Sequence, residues 1–76
     1  MRKFNIMIEE RCIGITYDVS QEDIQNIIRI STICMKNHLS FLIGEDDFQH
    51  RFCHIYGYGE TLQKCYNELV KEFSWV

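Results

Sequence analysis

Proline is absent from the 76 residues and glycine occurs only four times. With so few chain breakers and no low-complexity stretch, no linker interrupts the chain, which predicts a single domain over residues 1–76. Runs of Lys or Arg are also missing, and 8 basic residues against 11 acidic ones leave a net charge of −3. An extended phosphate-binding surface needs the opposite balance, so direct nucleic-acid binding is not expected. No apolar run reaches membrane-spanning length. Met1-Arg2-Lys3-Phe4 opens like a secretory leader, but Asn5 and then Glu9-Glu10 cut the apolar stretch. Neither a signal peptide nor a membrane span is predicted, and the expected location is cytoplasmic.

The four cysteines, Cys12, Cys34, Cys53 and Cys65, include no Cys-x-x-Cys pair. Each stands where an apolar residue would serve, so they read as buried free thiols. Cys34-x-x-x-His38 followed by His50-x-x-Cys53 imitates a reversed zinc-finger spacing. Antiparallel pairing of the strands between those motifs would set His38 and His50 about 15–20 Å apart at ~3.4 Å per residue, so neither a metal nor a cofactor is expected.

What the chain does have is 46% hydrophobic and 13% aromatic residues, enough for one core. Phe4, Ile6 and Ile8 alternate on even positions, whereas Ile13, Ile15 and Tyr17 alternate on odd ones. That change of phase predicts two strands joined by a turn or bulge at Glu10-Arg11. Ser20 and Asp23 resemble a capping box opening a helix, whose inward stripe would be Ile24, Ile27, Ile28, Cys34, Met35 and His38. Ile30 and Ile33 widen that face, either packing under a loop or forming a patch for a partner. Leu39–Ile43 and Arg51–Tyr56 flank the polar turn Gly44-Glu45-Asp46-Asp47 and predict a second hairpin. A last helix carries Leu62, Cys65, Tyr66, Leu69, Val70 and Phe73 on one side, with Trp75 and Val76 folding back over the rim. The order β-β-α-β-β-α predicts an α+β two-layer sandwich: an antiparallel sheet of about four strands with two helices packed on it.

Short connections gather two ends of such a sheet. One collects Glu9–Arg11, Lys36-Asn37-His38 and the junction Tyr56–Thr61. There Gly57, Tyr58, Gly59, Thr61 and His38 could cradle a small anion or nucleotide at a helix start, a homodimer interface being one way to complete the site. The simpler alternative is that the glycines permit a turn and Thr61 caps the helix. The other end collects Asp18, Glu22, Asp23, Glu45, Asp46 and Asp47 with few bases. With Tyr17, Phe48 and Trp75 as apolar anchors, Asp18, Glu22, Glu45, Asp46 and Asp47 describe a surface that could occupy a basic groove on another protein. His54 shares a strand face with Phe52 and Tyr56, while Cys53 points to the opposite one, so no Cys/His nucleophile is aimed and no enzyme is expected.

Tyr56-Gly57-Tyr58-Gly59-Glu60-Thr61-Leu62, followed by Cys65 and Leu69, resembles the strand, G-x-T and helix ending of short phage-encoded α/β proteins and of HicB-type antitoxin domains. The likeness covers about twenty residues, as far as a turn, cap and amphipathic helix extend. HicB-type domains commonly have alanine where this chain has Cys65, and many carry a DNA-binding domain, which does not follow here. The short, proline-free form looks more like phage proteins that disable host defences, including anti-CRISPR proteins. That resemblance implies a non-enzymatic inhibitor or adaptor in the host cytoplasm, binding a host defence or nucleic-acid-processing protein.

Overall fold

The computed structural model describes residues 4–18, 23–45 and 50–73. Six elements follow one another: β1 (Phe4–Ile8), β2 (Cys12–Asp18), α1 (Asp23–Lys36), β3 (Ser40–Glu45), β4 (His50–Tyr56) and α2 (Gly59–Glu72). The strands form one antiparallel sheet in the order β1-β2-β4-β3. The α+β order read from the sequence is the one observed.

The change of phase between β1 and β2 has a direct cause. Ile6 pairs with Ile15 and Ile8 with Ile13, so even positions of β1 lie opposite odd positions of β2 and all four share a face. The Glu9 amide donates to the Cys12 carbonyl at 2.7 Å, which closes a tight turn around Glu10-Arg11 without a bulge.

β2 and β4 lie at the centre and join the two β-β-α halves, with Ile13 opposite Ile55 and Ile15 opposite Cys53. Each helix leaves its own hairpin: α1 packs on β3, and α2 on β1 and β2. Their inner surface encloses Ile13, Ile15, Tyr17, Ile30, Ile33, Cys34, Cys53, Ile55, Leu62, Cys65, Leu69 and Phe73. Burial of these side chains is the main source of stability, since each contributes on the order of 1.5–3 kcal/mol for a large apolar residue. Three thiols, Cys34, Cys53 and Cys65, belong to this core, and all four cysteines are free. Burial pushes Cys53 up to about 11, so its thiol is protonated at neutral pH.

The face that α1 presents differs from the sequence expectation. Its buried positions are Asn26, Ile30, Ile33 and Cys34, whereas Ile24, Ile28 and Met35 are exposed. Ile30 and Ile33 are therefore core residues, not a surface patch. Two buried asparagines, Asn26 and Asn37, interrupt the inner arc and made it look the more polar one. Asn37 is satisfied there, its amide donating to the Ile33 carbonyl at 2.8 Å and to Glu68 at 2.6 Å.

Candidate functional site

The open face of the sheet carries the residues whose parity is opposite to the core. Met7, Gly14, His54 and Leu42 form one row across all four strands, and Asn5, Thr16, Phe52 and Gly44 form the next. Along β4, Phe52, His54 and Tyr56 make a ladder of rings with centroids 5.6 and 6.3 Å apart. Two glycines shape the surroundings of that ladder. A Cβ on Gly44 would meet the Phe52 ring at 2.5 Å, so the ring lies directly over the glycine. A Cβ on Gly14 would touch nothing within 4 Å, which leaves a dimple between Met7 and His54. Cys53 is buried on the other face, so it and His54 diverge, as strand alternation requires.

At the acidic end the described carboxylates are tied to bases of the chain itself. Arg51 holds Asp23 through Nη2 to Oδ2 at 2.6 Å and Nε to Oδ1 at 3.1 Å, and reaches the Gly44 carbonyl at 3.3 Å. Glu45 stands 3.8 Å from the same guanidinium, and Asp18 stands 3.7 Å from His50. The Arg51 hydrogen bonds hold the Asp23 carboxyl below its ordinary range. Tyr17 is not an accessible anchor: it is buried, and its hydroxyl donates to Asp23 Oδ1 at 2.8 Å. Burial first, and then Asp23, raises the pKa of that phenol. Bases therefore stand among the described acids of this end, Arg51 beside Asp23 and Glu45 and His50 beside Asp18, while the Asp18 and Glu45 side chains stay exposed. Glu22, Asp46, Asp47, Phe48 and Trp75 lie outside the described residues, as does Ser20 of the capping box.

The glycine end assembles as the topology requires. The Gly57 amide donates to the Arg11 carbonyl at 3.2 Å, which ties the β1–β2 turn to the junction. Arg11, Ser40, Tyr56, Gly57 and Tyr58 line a shallow open depression of about 380 Å³, and the Arg11 guanidinium sits 6.0 Å from the Tyr58 ring centre. Gly59 takes φ 66°, the left-handed turn that favours glycine. Thr61 does not cap α2, since the helix already begins at Gly59, with Tyr58 at the cap position and no side-chain cap bond. The Gly57 amide is occupied, so the cradle offers fewer free donors than the spacing suggests. His38 terminates a helix instead of completing the cradle. With φ 59° it ends α1, its amide bonded to Met35 at 3.1 Å and that of Leu39 to Cys34 at 3.0 Å.

His38 precedes β3 at the Tyr56 end, and His50 opens β4 beyond the Glu45 to Arg51 pair, so the two imidazoles belong to opposite ends of the hairpin. Among the described residues no three His, Cys, Asp or Glu side chains are grouped as a metal site. No helix is long and apolar enough to cross a membrane among those residues. No known protein family, curated protein or solved structure matches the chain.

Sequence reasoning missed the open face as a unit. Its signal was present in Phe52, His54 and Tyr56 at alternate positions, but the strand order that adds Met7 and Leu42 to them depends on long-range pairing.

Proposed function

We propose that the chain is a non-enzymatic protein-binding module, an inhibitor or adaptor of phage or mobile-element type, that engages a host protein through the open face of its sheet. The observation that carries this reading is the uncovered apolar row: Met7 and Leu42 are 63% and 55% exposed on either side of the Phe52–His54–Tyr56 ladder. Aromatic and Met side chains around a dimple suit an apolar anchor from a partner, whose burial would supply affinity. A nucleic-acid strand suits the face less well. The described positions of this face include no Lys or Arg, and stacking rings need cations beside them to hold phosphates. Asp18, beside His50 at one end of the same face with its side chain 60% exposed, is the rim charge of this surface.

Affinity capture from the host-cell lysate, with wild type, the pair Met7→Asp/Leu42→Asp, and Asp18→Lys as baits, tests this reading. A partner held stoichiometrically by wild type should fall at least about tenfold on the double variant and persist on Asp18→Lys, since central apolar anchors carry more affinity than rim charges. Equal capture by all three baits would refute the open-face assignment.

A second reading rests on the depression beside Tyr58, where Arg11 and the Ser40 hydroxyl could hold a nucleotide or similar anion. Native mass spectrometry of the purified chain separates the two. A bound small molecule lost on Arg11→Ala and retained on Leu42→Asp would favour it.

A further inference from the structure

Cys34 on α1 and Cys65 on α2 are both fully buried, and their thiols share a hydrogen bond across the contact between the two helices. The helices are tied together one turn further along each. Glu68 accepts the Asn37 amide at 2.6 Å and lies 2.7 Å from Lys36 Nζ. Asn37 stands three residues beyond Cys34 and Glu68 three beyond Cys65, so this clamp holds the two sulfurs at one level. Small apolar side chains would fill a core as well, so the pair carries chemistry that packing does not use. Cys53, the third core thiol, lies on β4, where burial keeps it protonated.

A groove of about 370 Å³ lined by Ile33, Lys36, Glu68, Lys71 and Glu72 opens between the helices beside this pair. Ile33 precedes Cys34 in the chain and Glu68 follows Cys65 by one turn, so a local parting of α1 from α2 at the groove reaches the thiols. Hydrogen peroxide, uncharged and little larger than water, can use that opening. We propose that Cys34 and Cys65 are a reversible redox pair, which a peroxide oxidises to a disulfide linking α1 to α2. The hydrogen bond from Cys34 favours the thiolate at Cys65, against the cost of burial, which makes Cys65 the attacking sulfur. Its thiolate attacks one peroxide oxygen, the O–O bond breaks, and the departing hydroxide takes up the Cys65 proton as water, leaving a sulfenic acid. The Cys34 sulfur then displaces the sulfenic oxygen, which leaves with the Cys34 proton as a second water. Two electrons pass from the two sulfurs to the peroxide. Closing the sulfurs from hydrogen-bond contact to the ~2.05 Å of a disulfide shifts them by on the order of 1–2 Å.

Each cysteine falls in its own tryptic peptide, 12–29, 30–36, 52–64 and 65–71, so a link can be located directly. The folded chain is treated with a small excess of hydrogen peroxide, alkylated and digested without reductant. Wild type should lose about 2 Da as a monomer, yield 30–36 joined to 65–71, and return both free peptides with dithiothreitol. The same treatment in urea should scatter the link over other pairs and lower the share of this one at least about threefold, because the fold sets the pairing. Cys65→Ala should slow the oxidation of Cys34 at least about tenfold, since the attacking sulfur is gone. If that variant does not fold, the wild-type map and its urea control decide alone. Four alkylated thiols after treatment of folded wild type would overturn the proposal. So would a link through Cys12 or Cys53, an overoxidised Cys65 without a link, or Cys34 oxidation as fast in Cys65→Ala as in wild type.

Discussion

Arg51 concentrates more structure around itself than any other charged residue described. It joins β4 to the first turn of α1 through Asp23, which in turn accepts the Tyr17 hydroxyl. Both partners of the ion pair are largely buried, with side chains 17% and 18% exposed, so little solvent screens the bond. Replacing Asp23 by Ala should lower stability by about 2–3 kcal/mol in urea unfolding, because a charge-assisted bidentate bond and a buried phenol both lose their acceptor. The pH dependence follows from the two shifts. Asp23 has a depressed folded pKa, so its contribution is present above the unfolded value near ~4 and is lost as pH falls through the folded value. Tyr17 is shifted upward, so its contribution is full below ~10 and is lost as pH rises beyond. Urea midpoints should decline in acid, and Asp23→Asn should flatten that decline. Asp23 was legible in the sequence as an acid at a helix start; its bond to Arg51 was not, because 28 residues separate them. Asn26 is the opposite case, fully buried with neither side-chain amide atom hydrogen-bonded among the described residues. Asn26→Leu should raise stability by about 1–2 kcal/mol, the desolvation cost removed from the core, as read by the same unfolding curves.

At the scale of elements, amphipathicity told where each helix lies better than which way it faces. α2 was readable because Leu62, Cys65 and Leu69 form one buried line opposite polar residues. α1 carries apolar residues nearly all round, and only the tertiary fit decides between two arcs. Asn37 belongs inside because Glu68 on α2 receives it, a fact no local pattern contains. The helix ends supply matched predictions. His38 ends α1 in the left-handed region, where glycine is preferred, so His38→Gly should gain about 0.5–1 kcal/mol. Gly59 enters α2 from the same region, so Gly59→Ala should lose about 1–2 kcal/mol. Thermal unfolding of both variants checks the pair, and equal shifts of one sign would contradict it.

Across the whole molecule, the sequence pattern contains the element order and the two gathered ends, since those follow from alternation, helix period and short connections. The strand order β1-β2-β4-β3 lies beyond it, because β2 and β4 pair across some forty residues. That pairing sets which side chains share the open face of the sheet. It moves α1 and α2 to one side, leaves the aromatic ladder on the other, and brings Asp18 beside His50 and Asp23 and Glu45 beside Arg51. Under the proposed reading of the chain as a protein-binding module, a partner held by the open face should be lost when that face alone becomes charged. The most direct measurement is quantitative affinity capture with Met7→Asp/Leu42→Asp beside Asp18→Lys, after circular dichroism shows that all baits are folded. Loss of the wild-type partner from the first bait and its retention on the second is the predicted result; an unchanged partner on the first bait, or loss on the second alone, would contradict it.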